Sequence, residues 1–262
     1  MSAGTEPPSR VPEPPSRVPE TGRKATRELE GLQDQELDAR DKPRTEALRG
    51  IHVLADDDPC WAHDPVEQAD AACRGGAAVI QLRAKHATDE QTLAWARAIR
   101  ILTRGHGVLF IVNDRYDLAL LAEADGVHLG QADLPPGRLP PEARRRLLVG
   151  RSTHDPAQAS AATREPVDYV AFGPLFATTS KRSNYEPRGL SALRQVSAHV
   201  APRPLVAIGG IDADGAAQAR EAGAAAAAVI SAVAGARDPL AATAALVRAW
   251  QSTRHCDEGS SA

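Results

Sequence analysis

Beyond residue 48 the chain falls into short, unbroken apolar runs separated by stretches whose apolar positions recur with helical spacing. A strand buried on both faces of a parallel sheet reads as a continuous apolar run, because neither face meets water. On that criterion strands are predicted at GIHVLA (50–55), AVIQL (78–82), VLFIV (108–112), GVHL (126–129), LLVG (147–150), YVAFG (169–173), PLVAI (204–208) and AAAVI (226–230). Helices are predicted between most of them, at 65–74, 89–104, 115–123, 155–163, 190–199, 213–222 and 238–251. Eight strands, each followed by a helix or a short connection, predict an α/β fold: a (β/α)8 TIM barrel in a single domain, 49–251. An open doubly wound sheet is the competing topology; the count of eight and the lack of GxGxxG in the first βα unit favour the barrel.

The pattern is different before residue 49. PPSRVPE occurs twice in tandem over 7–20, and proline at that density removes backbone donors while offering little apolar surface to bury. Residues 21–48 are rich in charge, with Leu29, Leu32 and Leu37 only loosely spaced for a short surface helix. Residues 1–48 are therefore expected to be a disordered tail and 252–262 a flexible C-terminal tail. Met1 is the only methionine, so a shorter product starting inside the tail would need a non-Met codon, for instance at Val11 or Val18.

Composition narrows the function classes. The 262 residues are 42% hydrophobic and carry a formal net charge of -3, which provides a core but no general attraction for nucleic acid or an anionic membrane. The longest weakly polar run, AGAAAAAVISAVAGA (222–236), is too short to span a bilayer, and no signal-peptide core opens the chain. Cys60, Cys73 and Cys256 are odd in number and not spaced as metal ligands, which fits a reduced, cytoplasmic protein. A homo-oligomer is compatible with the sequence, which sets no oligomeric state.

Side chains at the C-terminal ends of barrel strands converge on one mouth, so the residues just past each apolar run are the candidates for chemistry. They are QLRAK (81–85), Asn113-Asp114, HLGQAD (128–133), RSTH (151–154), GPLFATTSK (173–181), Gly209-Gly210-Ile211 and Ile230-Ser231. Singly, each has a plainer reading. Asp114 could cap the following helix, Asp133 could close a turn, Gly209-Gly210 could be a tight βα turn, His128 and His154 could be structural, and Lys181 could be a solvated charge. Jointly, two acids, the cations Arg83, Lys85 and Lys181, and several hydroxyls fall at one rim. That set suits small phosphorylated substrates. Two carboxylates give Mg2+ its hard oxygen ligands, and the turns after strands seven and eight form the usual phosphate pocket of such barrels.

With these residues in place the chain resembles the thiamine-phosphate synthase family over residues 50–247. The motifs run in order: QLRAK, VNDR, ADGVHLGQADLP, GRSTH, DYVAFGPLFATTSK, PLVAIGG and AVISAV. The resemblance implies a (β/α)8 barrel that joins 4-amino-5-hydroxymethyl-2-methylpyrimidine diphosphate to a hydroxyethylthiazole phosphate, giving thiamine phosphate and diphosphate. It implies one Mg2+ held by Asp114 and Asp133. It places Gln81, Leu82, Arg83, Ala84, Lys85, Asn113, Ser152 and Lys181 at the pyrimidine diphosphate, and Thr178, Thr179, Ser180, Gly210, Ile230 and Ser231 at the thiazole phosphate. Lys85, Ser152 and Lys181 are the implied catalytic groups, acting on the departing diphosphate. The family commonly has Thr where Ser180 stands and often Glu where Ala84 stands. Thiazole tautomerase-like relatives share the fold but would lack the metal and diphosphate ligands; a non-catalytic barrel that binds thiamine precursors is the remaining alternative. Loop 177–188 is a candidate lid.

Overall fold

The apolar runs pair in parallel, each with the next, and the last with the first. The computed structural model describes residues 45–178 and 185–252, and its eight strands close into a barrel in sequence order. These are β1 (Gly50–Asp56), β2 (Val79–Arg83), β3 (Leu109–Asn113), β4 (Gly126–Leu129), β5 (Leu148–Thr153), β6 (Tyr169–Phe172), β7 (Leu205–Ile208) and β8 (Ala226–Val229). The helices that follow them are α1 (Pro65–Arg74), α2 (Asp89–His106), α3 (Tyr116–Leu121), α4 (Pro141–Arg146), α5 (Pro156–Ala162), α6 (Gly189–Val200) and α7 (Ala213–Glu221). After β8 come a single turn, α8 (Ser231–Ala234), and then α9 (Pro239–Gln251). β1 pairs with β8 through Gly50↔Ala226 to Val53↔Val229, which closes the cylinder.

Side chains alternate across each strand, so the apolar residues divide into two cores. Val53, Ile80, Leu82, Phe110, Val112 and Val127 face outward and pack against the helices. Leu54, Val79, Ile111, Leu148, Tyr169 and Val206 face inward and fill the barrel. Chain reversals are fixed by local polar groups: Asp64 caps α1 with a complete capping box, Thr88 caps α2, and Gly107 takes the left-handed conformation that ends α2.

The expected elements are present, with four differences. The barrel begins earlier than 49: Thr45–Leu48 form a 3-10 turn, and Leu48, assigned to the tail, is fully buried in the inner core. Arg151, Ser152 and Thr153, expected just after β5, belong to it, because the register with β6 continues through Ser152↔Ala171 and Thr153↔Phe172. α4 follows the Pro-rich stretch after β4 and α8 follows the last strand, and no helix was expected at either place. Both are too short to show a helical period. The tail over 1–44, its tandem repeat and residues 253–262 lie outside the described residues. Among those described, no helix is long and apolar enough to cross a membrane.

Candidate active site

Inward positions at the C-terminal end of the barrel carry polar groups instead of apolar ones. Gln81, Arg83, Asn113, His128 and Ser152 line a small cavity of about 40 Å3 beneath the mouth, floored by Tyr169. Leu82, expected with them, is buried in the outer core, so its side chain cannot reach a ligand in the mouth. Ala84 is half-buried.

Arg83 is anchored by an ion pair to Asp56, which is 2% exposed. The other carboxylate oxygen of Asp56 accepts the Trp61 indole N–H at 2.8 Å and the Asp58 N–H at 3.0 Å. Next to it, Asp57 gathers the loop after β2: its carboxylate accepts the N–H groups of Lys85 at 2.7 Å, His86 at 2.9 Å and Ala87 at 2.8 Å. That loop delivers Lys85, whose ammonium pairs with Asp114.

Asp114 does not cap the following helix. The N-cap of α3 is Arg115, with no side-chain cap bond, and Asp114 sits at φ 64, an unusual conformation for a residue with a side chain. Its N–H donates to the His128 carbonyl at 2.8 Å. Asp133 does close a turn, accepting the Gly130 N–H at 2.6 Å, and its carboxyl also lies beside that of Asp114. Burial, then the hydrogen-bonded Asp114 carboxyl, raises the Asp133 pKa above its ordinary value, against the pull of Lys85. Two acids and a lysine from the ends of β2, β3 and β4 thus meet at one point of the rim.

Across the mouth lies a second cavity of about 220 Å3, lined by Ser152, His154, Thr178, Gly210, Ile230 and Ser231 among others. Gly209 and Gly210 have φ 101 and 64, and a Cβ on Gly210 would lie 2.3 Å from the Ala177 carbonyl oxygen. Only glycine lets the β7 turn pass so close to the loop after β6. α8 starts at Ser231, the short extra helix that phosphate-binding barrels place after their last strand. Thr179, Ser180 and Lys181, expected at this rim, lie outside the described residues.

Sequence reasoning missed several groups. Asp56 ends β1 and Asp57 follows it, in the run DDD at the one strand end left out of the rim, and that run was the available signal. Tyr185 stacks on His154 with ring centroids 4.0 Å apart, while His154 Nδ1 is 2.8 Å from the Gly173 carbonyl. Tyr169 was read only as the apolar start of a strand.

Among the described residues no three His, Cys, Asp or Glu side chains form a closed metal cage. The Asp114–Asp133 pair fits Mg2+, which binds through one or two carboxylates and completes its shell with substrate phosphates and water. The mouth therefore sets Lys85 beside two carboxylates on one side, and the turns after β7 and β8 around the larger cavity on the other.

Comparison with known proteins places the chain in a family. Residues 51–233 match the family described as thiamine monophosphate synthase. The thiamine-phosphate synthase of Anaeromyxobacter dehalogenans is 49% identical over 215 residues, covering 80% of this chain and 92% of its own length. That of Chloroflexus aurantiacus is 47% identical over 176 residues, covering 66% of this chain and 79% of its own. Among solved structures, thiamine phosphate pyrophosphorylase from Pyrococcus furiosus superposes with a TM-score of 0.70 at 33% identity, covering 79% of this chain and 96% of that one.

Proposed function

The chain belongs to the thiamine monophosphate synthase family and is a transferase of thiamine biosynthesis; from that premise we propose how its mouth divides the work between two substrates. The pyrimidine diphosphate occupies the β2–β5 side, with its ring in the small polar cavity of Gln81, Asn113 and Ser152. The thiazole phosphate, free or carboxylated, occupies the larger cavity, with its phosphate over Gly210, Ile230 and Ser231. The observation that carries the reading is the convergence of Lys85, Asp114 and Asp133 at one point of the rim, with Ser152 lining both cavities.

In this reading the bond between the pyrimidine methylene carbon and the diphosphate oxygen breaks, its electron pair leaving with diphosphate. The thiazole nitrogen then supplies the pair for the new C–N bond, and from the carboxylated substrate the carboxyl group leaves as CO2. No protein nucleophile takes part. Asp114 and Asp133 would hold Mg2+, which when bound offsets the charge that collects on the departing diphosphate. Lys85 and the Ser152 hydroxyl act on the same oxygens, stabilising charge that grows toward the transition state. Lys181, matched to the diphosphate by family resemblance, is proposed to act on the same oxygens. The two cavities would hold the reacting atoms in line, with the Tyr185–His154 stack lining the thiazole side.

Incubating purified protein with both substrates and Mg2+ should yield thiamine phosphate and diphosphate in equal amounts. Omission of Mg2+ should stop both. Turnover that survives exhaustive chelation would remove the metal from the scheme, and absence of product where the relatives are active would sink the assignment of the two cavities.

A further inference from the structure

Beneath the mouth the inner layer carries a chain of polar groups that the scheme above leaves without a role. His128 Nε2 lies 2.8 Å from the Ser152 hydroxyl, and His128 Nδ1 lies 2.9 Å from the Tyr169 hydroxyl. The two rings are 5.5 Å apart and tilted by 30°. Tyr169 is fully buried, and burial keeps its phenol protonated by pushing the pKa up. On its other side Tyr169 meets the edge of His52, which bonds through Nε2 to the Leu48 carbonyl at 2.6 Å. Gly150 makes the arrangement sterically feasible. A Cβ there would lie 2.1 Å from Tyr169 Cζ and 2.5 Å from His128 Nδ1, so the pair fills the space of a side chain that glycine lacks.

Hydrogen bonds in such a chain have a direction. A neutral imidazole offers one donor and one acceptor, and the choice at one nitrogen sets the other. Among the described residues, His128 Nδ1 is the hydrogen-bond partner of the Tyr169 hydroxyl. If Nδ1 carried the proton, the buried phenol hydrogen would lose its acceptor, a costly state. The phenol therefore donates to Nδ1, the proton of His128 sits on Nε2, and Nε2–H donates to the Ser152 oxygen. The Ser152 hydrogen is then turned away from the ring and toward the mouth.

We propose that Tyr169 and His128 are positioning residues that fix the direction of the Ser152 hydroxyl, presenting it as a hydrogen donor to an anionic oxygen of the diphosphate. The inference rests on the reading that Ser152 meets the diphosphate. With the opposite tautomer Ser152 would spend its hydrogen on His128 and turn lone pairs toward an anion, which repels it.

Two measurements test this. In protein labelled with 15N-histidine, the ring of His128, assigned by its loss in His128→Asn, should show the Nε2–H tautomer, and Tyr169→Phe should shift it toward Nδ1–H. Tyr169→Phe, which keeps the ring and removes one oxygen, should lower kcat by about 10- to 100-fold with KM little changed. Ser152→Ala should lose a similar factor, and the double variant should be no worse than Ser152→Ala alone. An Nδ1–H tautomer in the unmodified protein, a tautomer unmoved by Tyr169→Phe, or additive losses would each overturn the proposal. Undiminished kcat in Ser152→Ala would instead sink the diphosphate reading of Ser152, and the proposal with it.

Discussion

Asp133 closes a turn with a carboxyl that is also a proposed metal ligand. One oxygen accepts the Gly130 N–H, while the group as a whole faces Asp114. Asp133→Ala should therefore cost only about 1 kcal/mol of stability, the net worth of one hydrogen bond, but reduce turnover at least about 100-fold. Thermal melts beside steady-state kinetics check this; extensive unfolding with activity kept in the folded fraction would make Asp133 a turn residue only. His52 offers a second test at this scale. Burial lowers its pKa from 6.5 to about 4, opposed in part by its bond to the Leu48 carbonyl. Below pH 6.5 the unfolded chain takes up a proton that the folded chain refuses until about pH 4, so stability falls with pH across that window. The loss attributable to this group is about 3 kcal/mol, and His52→Gln should flatten the slope in urea melts taken across the same range. Lys85, Asp114 and Asp133 were legible in the sequence because each stands just past an apolar run. Tyr169 and Gly150 were not, because their significance lies in what they touch across strands, and a glycine in LLVG records nothing of the rings that fill its place.

Elements decide whether those residues meet. The loop after β2 is held by Asp57, which accepts N–H groups from Lys85, His86 and Ala87. Asp57→Ala should free that loop and lower kcat through a misplaced Lys85, with a stability cost of about 1–3 kcal/mol; Asp57→Asn, which retains one carbonyl acceptor, should recover part of both. At the opposite rim, Gly210→Ala would put a Cβ against the Ala177 carbonyl at a left-handed φ. The strain, about 1–3 kcal/mol, should appear as a raised KM for the thiazole phosphate with the KM for the pyrimidine diphosphate nearly unchanged. Strand positions were readable because burial on both faces leaves an unmistakable apolar run. The end of β5 was not, since Arg151 and Ser152 are polar and are strand only by pairing with Val170 and Ala171. α4 and α8 escaped for the opposite reason: at six and four residues they carry too little period to read.

At the scale of the molecule, the barrel is two concentric cores sharing one sheet. Leu48 belongs to the inner one and sits at its N-terminal end, beneath His52 and Tyr169. Leu48→Ala should cost about 2–5 kcal/mol, as for other fully buried leucines, measurable as a fall in the urea midpoint without change in KM. The composition of residues 21–48 hid this, because one leucine at the edge of a charged segment gives no sign that it turns inward. Its placement has a consequence for traffic. Leu48, His52 and Tyr169 fill the base of the barrel, and both cavities lie toward the C-terminal rim, so in the proposed reaction two substrates enter and two products leave past that rim. On the proposed division of the mouth, diphosphate would depart from the β2–β5 side and thiamine phosphate from the side over α8, so each product would obstruct the other's replacement. Either product added in excess should then slow the reaction toward both substrates, a form of inhibition written into the closed end of the barrel.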